Sequence, residues 1–131
     1  MSQENRKIVR SLFEMWNARD MDGLREVYDP NVFVRAPEGW PEPGPFVGPE
    51  AVMRQWNQMR ETWNADVLEP VSDFIGSADR IIVRFIWRAT GRGPDADLQL
   101  TGVWTVRDGK IVHTEFFWDH AEALKAVGLA E

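Results

Sequence analysis

The chain has 131 residues and no cysteine, which fits one domain spanning 1–131 and leaves no route to disulfides or thiolate metal sites. Fifteen Lys and Arg against 21 Asp and Glu give a net charge of −6, with both signs in each half, which argues against phosphate-dominated nucleic-acid binding. No apolar run approaches the ~20 residues of a membrane helix, and the polar first ten residues do not read as a secretory signal, so the expected location is the cytoplasm.

The periodicity predicts a first helix over 3–18, with Ile8, Val9, Leu12, Phe13 and Trp16 on one apolar stripe. Asp20 reads as the N-cap of a short second helix, with Met21, Leu24, Val27 and Tyr28 inward. Asp29-Pro30 ends it, because a residue before proline is pushed out of the α region. Residues 31–36 alternate and read as a short strand. The segment 37–48 holds four prolines and three glycines and reads as a loop, with Trp40 and Phe46 inside it. It is either a lid over a pocket mouth or a loop tacked onto the core. Pro49 suits the first turn of a third helix, where Val52, Trp56, Met59 and Trp63 share a face.

Beyond Asn64 the period changes to two. A strand-like stretch covers 66–75, broken at Pro70, followed by a turn over 76–79. Residues 81–89 form a strand with Val83, Phe85 and Trp87 on one side and Arg84, Ile86 and Arg88 on the other. A Gly- and Pro-containing hairpin loop over 91–97 leads to a strand over 98–106. Asp108-Gly109 is a tight hairpin signal, and the last strand runs over 110–118. A terminal helix over 121–127 stops at Gly128. Helices first and hairpin-linked strands later give an α+β fold with a largely antiparallel sheet and helices on one face. Seven tryptophans mean either a Trp-rich core or an aromatic cavity, and periodicity leaves both readings open.

The segments WNARDMDGLREVYDPNVFVRAP, FVGPEAV and GVWTVRDGKIVHTEFFWDHAEALKAVGL, in that order, resemble the SnoaL-like branch of the nuclear transport factor 2-like superfamily. The resemblance implies a strongly curved sheet wrapped around the N-terminal helices as a cone. It also implies an internal ligand cavity and, often, a homodimer. It carries several activities, so the site has to be argued from residues. An isomerase needs a tyrosine, a carboxylate base and a second acid, but Leu12, Ala36 and Gly102 stand at the matching positions. An epoxide hydrolase needs an arginine and an aspartate two apart on an inner strand, and no such pair occurs.

The resemblance places Trp16, Val34, Trp56, Phe85, Trp104, Phe116 and Trp118 on the cavity wall. Trp40 in the loop, and Thr114, which alternates with Phe116 and Trp118, join them. Such a pocket, aromatic and poor in charge, is suited to a flat, small hydrophobic ligand, with no cofactor and no metal. Asp119 is the candidate acid–base residue, since related cyclases employ an aspartate in their cavities; the competing reading is a helix cap in the pattern Asp119-x-x-Glu122. His113 and Glu115 share a strand face opposite the aromatic one, so they point outward. Neither they nor His120 has metal-ligand spacing. Tyr28 is core or a cavity cap, and Arg35 is a surface ion-pair candidate. Arg84 and Arg88 mark plain surface or a homodimer interface. Three functions follow as expectations: a small-molecule binder, a cofactor-independent acid–base enzyme of the polyketide cyclase, isomerase or epoxide hydrolase type, or a dimeric protein-interaction module.

Overall fold

The computed structural model describes residues 2–42, 44–61, 65–91 and 93–129. Helix α1 (Ser2–Ala18) presents the expected stripe inward: Val9, Leu12, Phe13 and Trp16 are all buried. Asp20 caps α2 (Met21–Glu26), its Oδ1 accepting from the Gly23 N–H at 2.9 Å. Helix α3 (Pro49–Glu61) begins on its proline and buries Val52 and Met53. Trp63, expected on the same face, lies outside the described residues.

Strand β1 (Tyr28–Arg35) starts three residues before the expected 31–36 strand and contains Pro30. The ladder between β1 and β7 (Lys110–Phe117) shifts register between Tyr28 and Phe33. Pro30 falls in that irregular stretch, where its missing N–H breaks no regular ladder. The proline-rich segment is not all loop. It contains β2 (Phe46–Val47), which pairs with β1 through Val34 and Phe46.

The single stretch expected over 66–75 is two strands, β3 (Ala65–Pro70) and β4 (Ile75–Ser77), both paired with β5 (Arg80–Gly91). Gly76 therefore sits in a strand, and the turn falls at Ala78 and Asp79, with Ala78 at φ 55°. Pairing of β5 with β6 (Gly93–Arg107) persists to Gly91 and Gly93, so most of the 91–97 loop expectation is replaced by strand. A ladder already formed along one edge satisfies each further N–H and C=O, which favours extension over a polar loop. Arg92 lies outside the described residues. Asp108 and Gly109, at φ 52° and 78°, join β6 to β7, as a primed hairpin turn requires.

The sheet order is β2-β1-β7-β6-β5-β3, with β4 also on β5. It curls around α1 and α3 without closing, and every pairing is antiparallel except β1 with β7. Ile81, Val83, Phe85, Trp87 and Ala89 alternate inward along β5. The fourth helix, α4 (His120–Ala126), corrects the expectation of helices on one face. It packs Ala123 and Leu124 against Ile82, Val103 and Phe117 on the outer side of the sheet. The reason is visible in the alternation: Ile82 and Val103 point away from the core, and an exposed apolar pair there requires a cover.

Candidate functional site

Aromatic rings fill the inside of the curled sheet. Phe13 meets Phe74, Phe85 and Trp104 edge-on at centroid distances of 5.8, 5.4 and 5.6 Å. Phe116 meets Trp104 at 5.8 Å and Trp56 at 6.0 Å, and Trp56 meets Trp16 at 6.0 Å. Edge-to-face pairs of this kind each contribute about 0.5–1.5 kcal/mol beyond area burial. Gly102 makes one of these positions possible: a Cβ there would stand 2.3 Å from the Trp104 indole. The tryptophans are thus largely core, and the same rings border a space of about 70 Å³.

Trp16, Trp56, Phe85, Trp104 and Phe116 border that cavity, as do Val34 of β1 and Trp40 of the loop. Thr114 is 1% exposed but does not reach it, and its Oγ1 has no hydrogen-bond partner. Trp118 lies outside it. Strand β7 ends at Phe117, so alternation no longer governs the next residue. Trp118 is 45% exposed, donates from Nε1 to the Glu38 carbonyl at 2.7 Å, and meets the Trp40 ring at 5.9 Å. These two contacts hold Glu38 and Trp40, which borders the cavity, against Trp118.

Asp119 stands at the N-cap of α4, exposed, with Oδ1 accepting from the Ala121 N–H at 2.8 Å. It does not border the cavity, and Glu122 lies 3.5 Å from Lys125. His113 and Glu115 are on the outer face. His113 stacks on Phe33 at 5.2 Å, and burial holds its imidazole below the ordinary value against the pull of Glu115. His120 Nδ1 pairs with Thr101 Oγ1 at 3.0 Å. Arg35 forms a cation–π contact with Phe33, 5.5 Å from the ring centre, in place of the expected ion pair. No group of three or more His, Asp or Glu side chains among the described residues could hold a metal ion, and no described helix is long and apolar enough to cross a membrane.

Of the polar part of the site, sequence reasoning offered Tyr28 as core or a cavity cap and missed Gln55. Tyr28 and Gln55 are 5% and 7% exposed, and both border the cavity. The Trp56 indole donates to the Tyr28 hydroxyl at 3.0 Å. Burial raises the Tyr28 pKa well above the ordinary phenol value, a rise the Trp56 bond only partly offsets, so the hydroxyl keeps its proton. Tyr28 is the only ionisable side chain on the wall among the described residues.

Asp66 sits behind two of the wall tryptophans. Its Oδ2 accepts from Trp16 Nε1 and Trp87 Nε1, each at 2.8 Å. Its Oδ1 lies 3.1 Å from Arg60 Nη2 and 3.8 Å from Arg19 Nη2, so the buried carboxylate faces two guanidinium groups. Arg60 donates to the Trp16 carbonyl at 2.6 Å and stacks over the Trp16 ring at 4.5 Å. Burial pulls its guanidinium below its ordinary pKa, and Asp66 opposes that. The signals in sequence were slight: Trp87 alternates with Phe85, but nothing local links Asp66 to Trp16 or Arg60.

A family model described as SnoaL-like domain matches residues 9–114. No curated protein sequence matches the chain. Among 334 matching solved chains is a nuclear transport factor 2-like protein of unknown function from Burkholderia pseudomallei, 27% identical, with a TM-score of 0.78 over 95% of this chain and 98% of that one. A second, TerC co-crystallised with polyporic acid, is 25% identical, with a TM-score of 0.77 over 95% and 97%. A third, assigned as a polyketide cyclase from Sinorhizobium meliloti, is 25% identical, with a TM-score of 0.70 over 84% and 93%.

Proposed function

The chain belongs to the SnoaL-like domain family, and we propose that it binds a small, flat, hydrophobic molecule in its aromatic cavity. The observation that carries this reading is the wall itself: tryptophan and phenylalanine rings, aliphatic side chains, and two polar groups at Tyr28 and Gln55. Such a wall rewards apolar surface and ring contact, and it offers no fixed charge to a charged guest. TerC, the neighbour crystallised with polyporic acid, supports the reading through a shared fold at 25% identity.

The cavity of about 70 Å³ is smaller than the roughly 150 Å³ void that admits benzene. Entry therefore requires the segment that carries Glu38 and Trp40 to move. Trp40 borders the cavity from that segment, and the Trp118–Glu38 bond and the Trp40–Trp118 ring contact are what must release. Binding by lid displacement is slow to start and water-tight once made. An acid–base role for Asp119 has less support, because its carboxylate is engaged at the α4 cap, outside the cavity.

The test is intrinsic tryptophan fluorescence titrated with flat aromatic compounds. Saturable quenching at micromolar concentration, with faster association in Trp40→Ala, is the expected result. Linear, non-saturating quenching in both proteins would refute the reading. We place a second copy of the chain, as a homodimer, against the outer face around Arg84, Ile86 and Arg88, where α4 does not reach. A monomeric mass by sedimentation at micromolar concentration would overturn that.

A further inference from the structure

Tyr28 accepts one hydrogen bond, from Trp56 Nε1, and its own proton has no acceptor among the described residues. A hydroxyl that already accepts is a stronger donor, because each bond polarises the next. The indole also occupies one side of the oxygen, which directs the remaining proton elsewhere. Gln55 precedes Trp56 on α3, is buried at 7% exposure and borders the same cavity. Buried polar groups are almost always paired. Apart from the indole N–H groups, Tyr28 and Gln55 are the polar side chains on this apolar wall among the described residues, and they mark where a guest's polar atom belongs.

The charges around the cavity narrow that atom further. No Lys, Arg, His, Asp or Glu borders it among the described residues. The nearby cation Arg60 is packed over Trp16 and engaged with Asp66, and Arg19 also faces Asp66, at 3.8 Å. A carboxylate entering here would lose its water and meet no cation. A pure hydrocarbon would leave the Tyr28 proton without an acceptor.

Resting on the binding reading above, we propose that Tyr28 and Gln55 select the ligand class: an uncharged, flat aromatic compound carrying a carbonyl oxygen, which accepts from the Tyr28 hydroxyl with the Gln55 amide beside it. Tyr28 is the specificity residue of the pair, since its donor role is imposed by Trp56, whereas an amide can either donate or accept. Burial keeps the phenol protonated, so this selectivity persists across the ordinary pH range.

Three probes on one tricyclic ring system separate the possibilities: 9-fluorenone, fluorene and fluorene-9-carboxylate, titrated against the whole chain at pH 8 by calorimetry and tryptophan quenching. The ketone binds about tenfold more tightly than the hydrocarbon, the ratio expected of one net hydrogen bond, and the carboxylate binds weakest. The carbonyl stretch of bound fluorenone shifts to lower frequency. Tyr28→Phe brings ketone affinity down to within twofold of fluorene and returns the stretch to its position in an apolar solvent. Equal binding of ketone and hydrocarbon by the unaltered protein, or carboxylate binding as tight as ketone, overturns the selectivity while leaving the binding reading in place. Failure of all three to bind removes the binding reading itself, and the inference with it. The comparison in the unaltered chain decides the matter even if Tyr28→Phe folds poorly.

Discussion

Asp66→Asn isolates the charge in the buried Asp66–Arg60 pair while keeping the shape. The side chains of Asp66 and Arg60 are 1% and 7% exposed, with Nη2 and Oδ1 at 3.1 Å. The asparagine oxygen still accepts from the Trp16 and Trp87 indoles, which approach Oδ2 at 2.8 Å each. What is lost is the negative charge facing a buried guanidinium, and the amide hydrogens then point at it. Removing one partner of such a pair costs about 3–5 kcal/mol. For a domain of this size that lowers Tm by about 10–20 °C. Asp66→Ala adds two orphaned indole donors, at about 1–3 kcal/mol each, and falls further. The decisive variant is the double change Asp66→Asn with Arg60→Met, which removes the stranded charge and recovers most of the loss. Thermal and urea melts followed by far-UV circular dichroism measure all four proteins. An Asp66→Asn protein within about 1 kcal/mol of the parent, or a double variant no more stable than Asp66→Asn, would refute the account.

Gly102→Ala drives a methyl into the Trp104 indole, at 2.3 Å from one ring carbon, and costs about 1–3 kcal/mol by overpacking, read as an earlier urea midpoint. Asp119→Asn keeps stability because asparagine caps comparably, whereas Asp119→Ala loses about 0.5–2 kcal/mol; calorimetric melts of the pair check it. His113 has a folded-state pKa held below the unfolded value of about 6.5. The unfolded chain thus takes up the proton first as pH falls, so stability is full above about 6.5 and declines below it, down to the folded pKa. Denaturant midpoints between pH 7.5 and 5 should decline less in His113→Gln than in the parent, and identical slopes would count against the assignment.

Local chemistry determined a large part of this molecule before any tertiary contact. The α1 stripe, the Asp20 and Asp119 caps, the proline opening α3, the inward alternation of β5 and the Asp108-Gly109 turn all follow from spacing within a few residues, which sequence displays directly. The family pattern added the curved sheet around the helices and most of the aromatic wall. Other features required the folded chain. Pairing of β1 beside β7 joins segments at opposite ends of the sequence and decides where Pro30 can lie. The reach of α4 to the outer face depends on an apolar pair, Ile82 and Val103, that alternation alone could have left as surface. Trp118 leaves the wall because its strand ends one residue earlier. Asp66 finds one indole 50 residues before it and another 21 residues after it, and no local pattern encodes such a meeting. The cavity's size and the place of its two polar groups are settled last, because they depend on how rings from seven separate elements and a loop divide one interior, a question of volume and angle rather than of order along the chain.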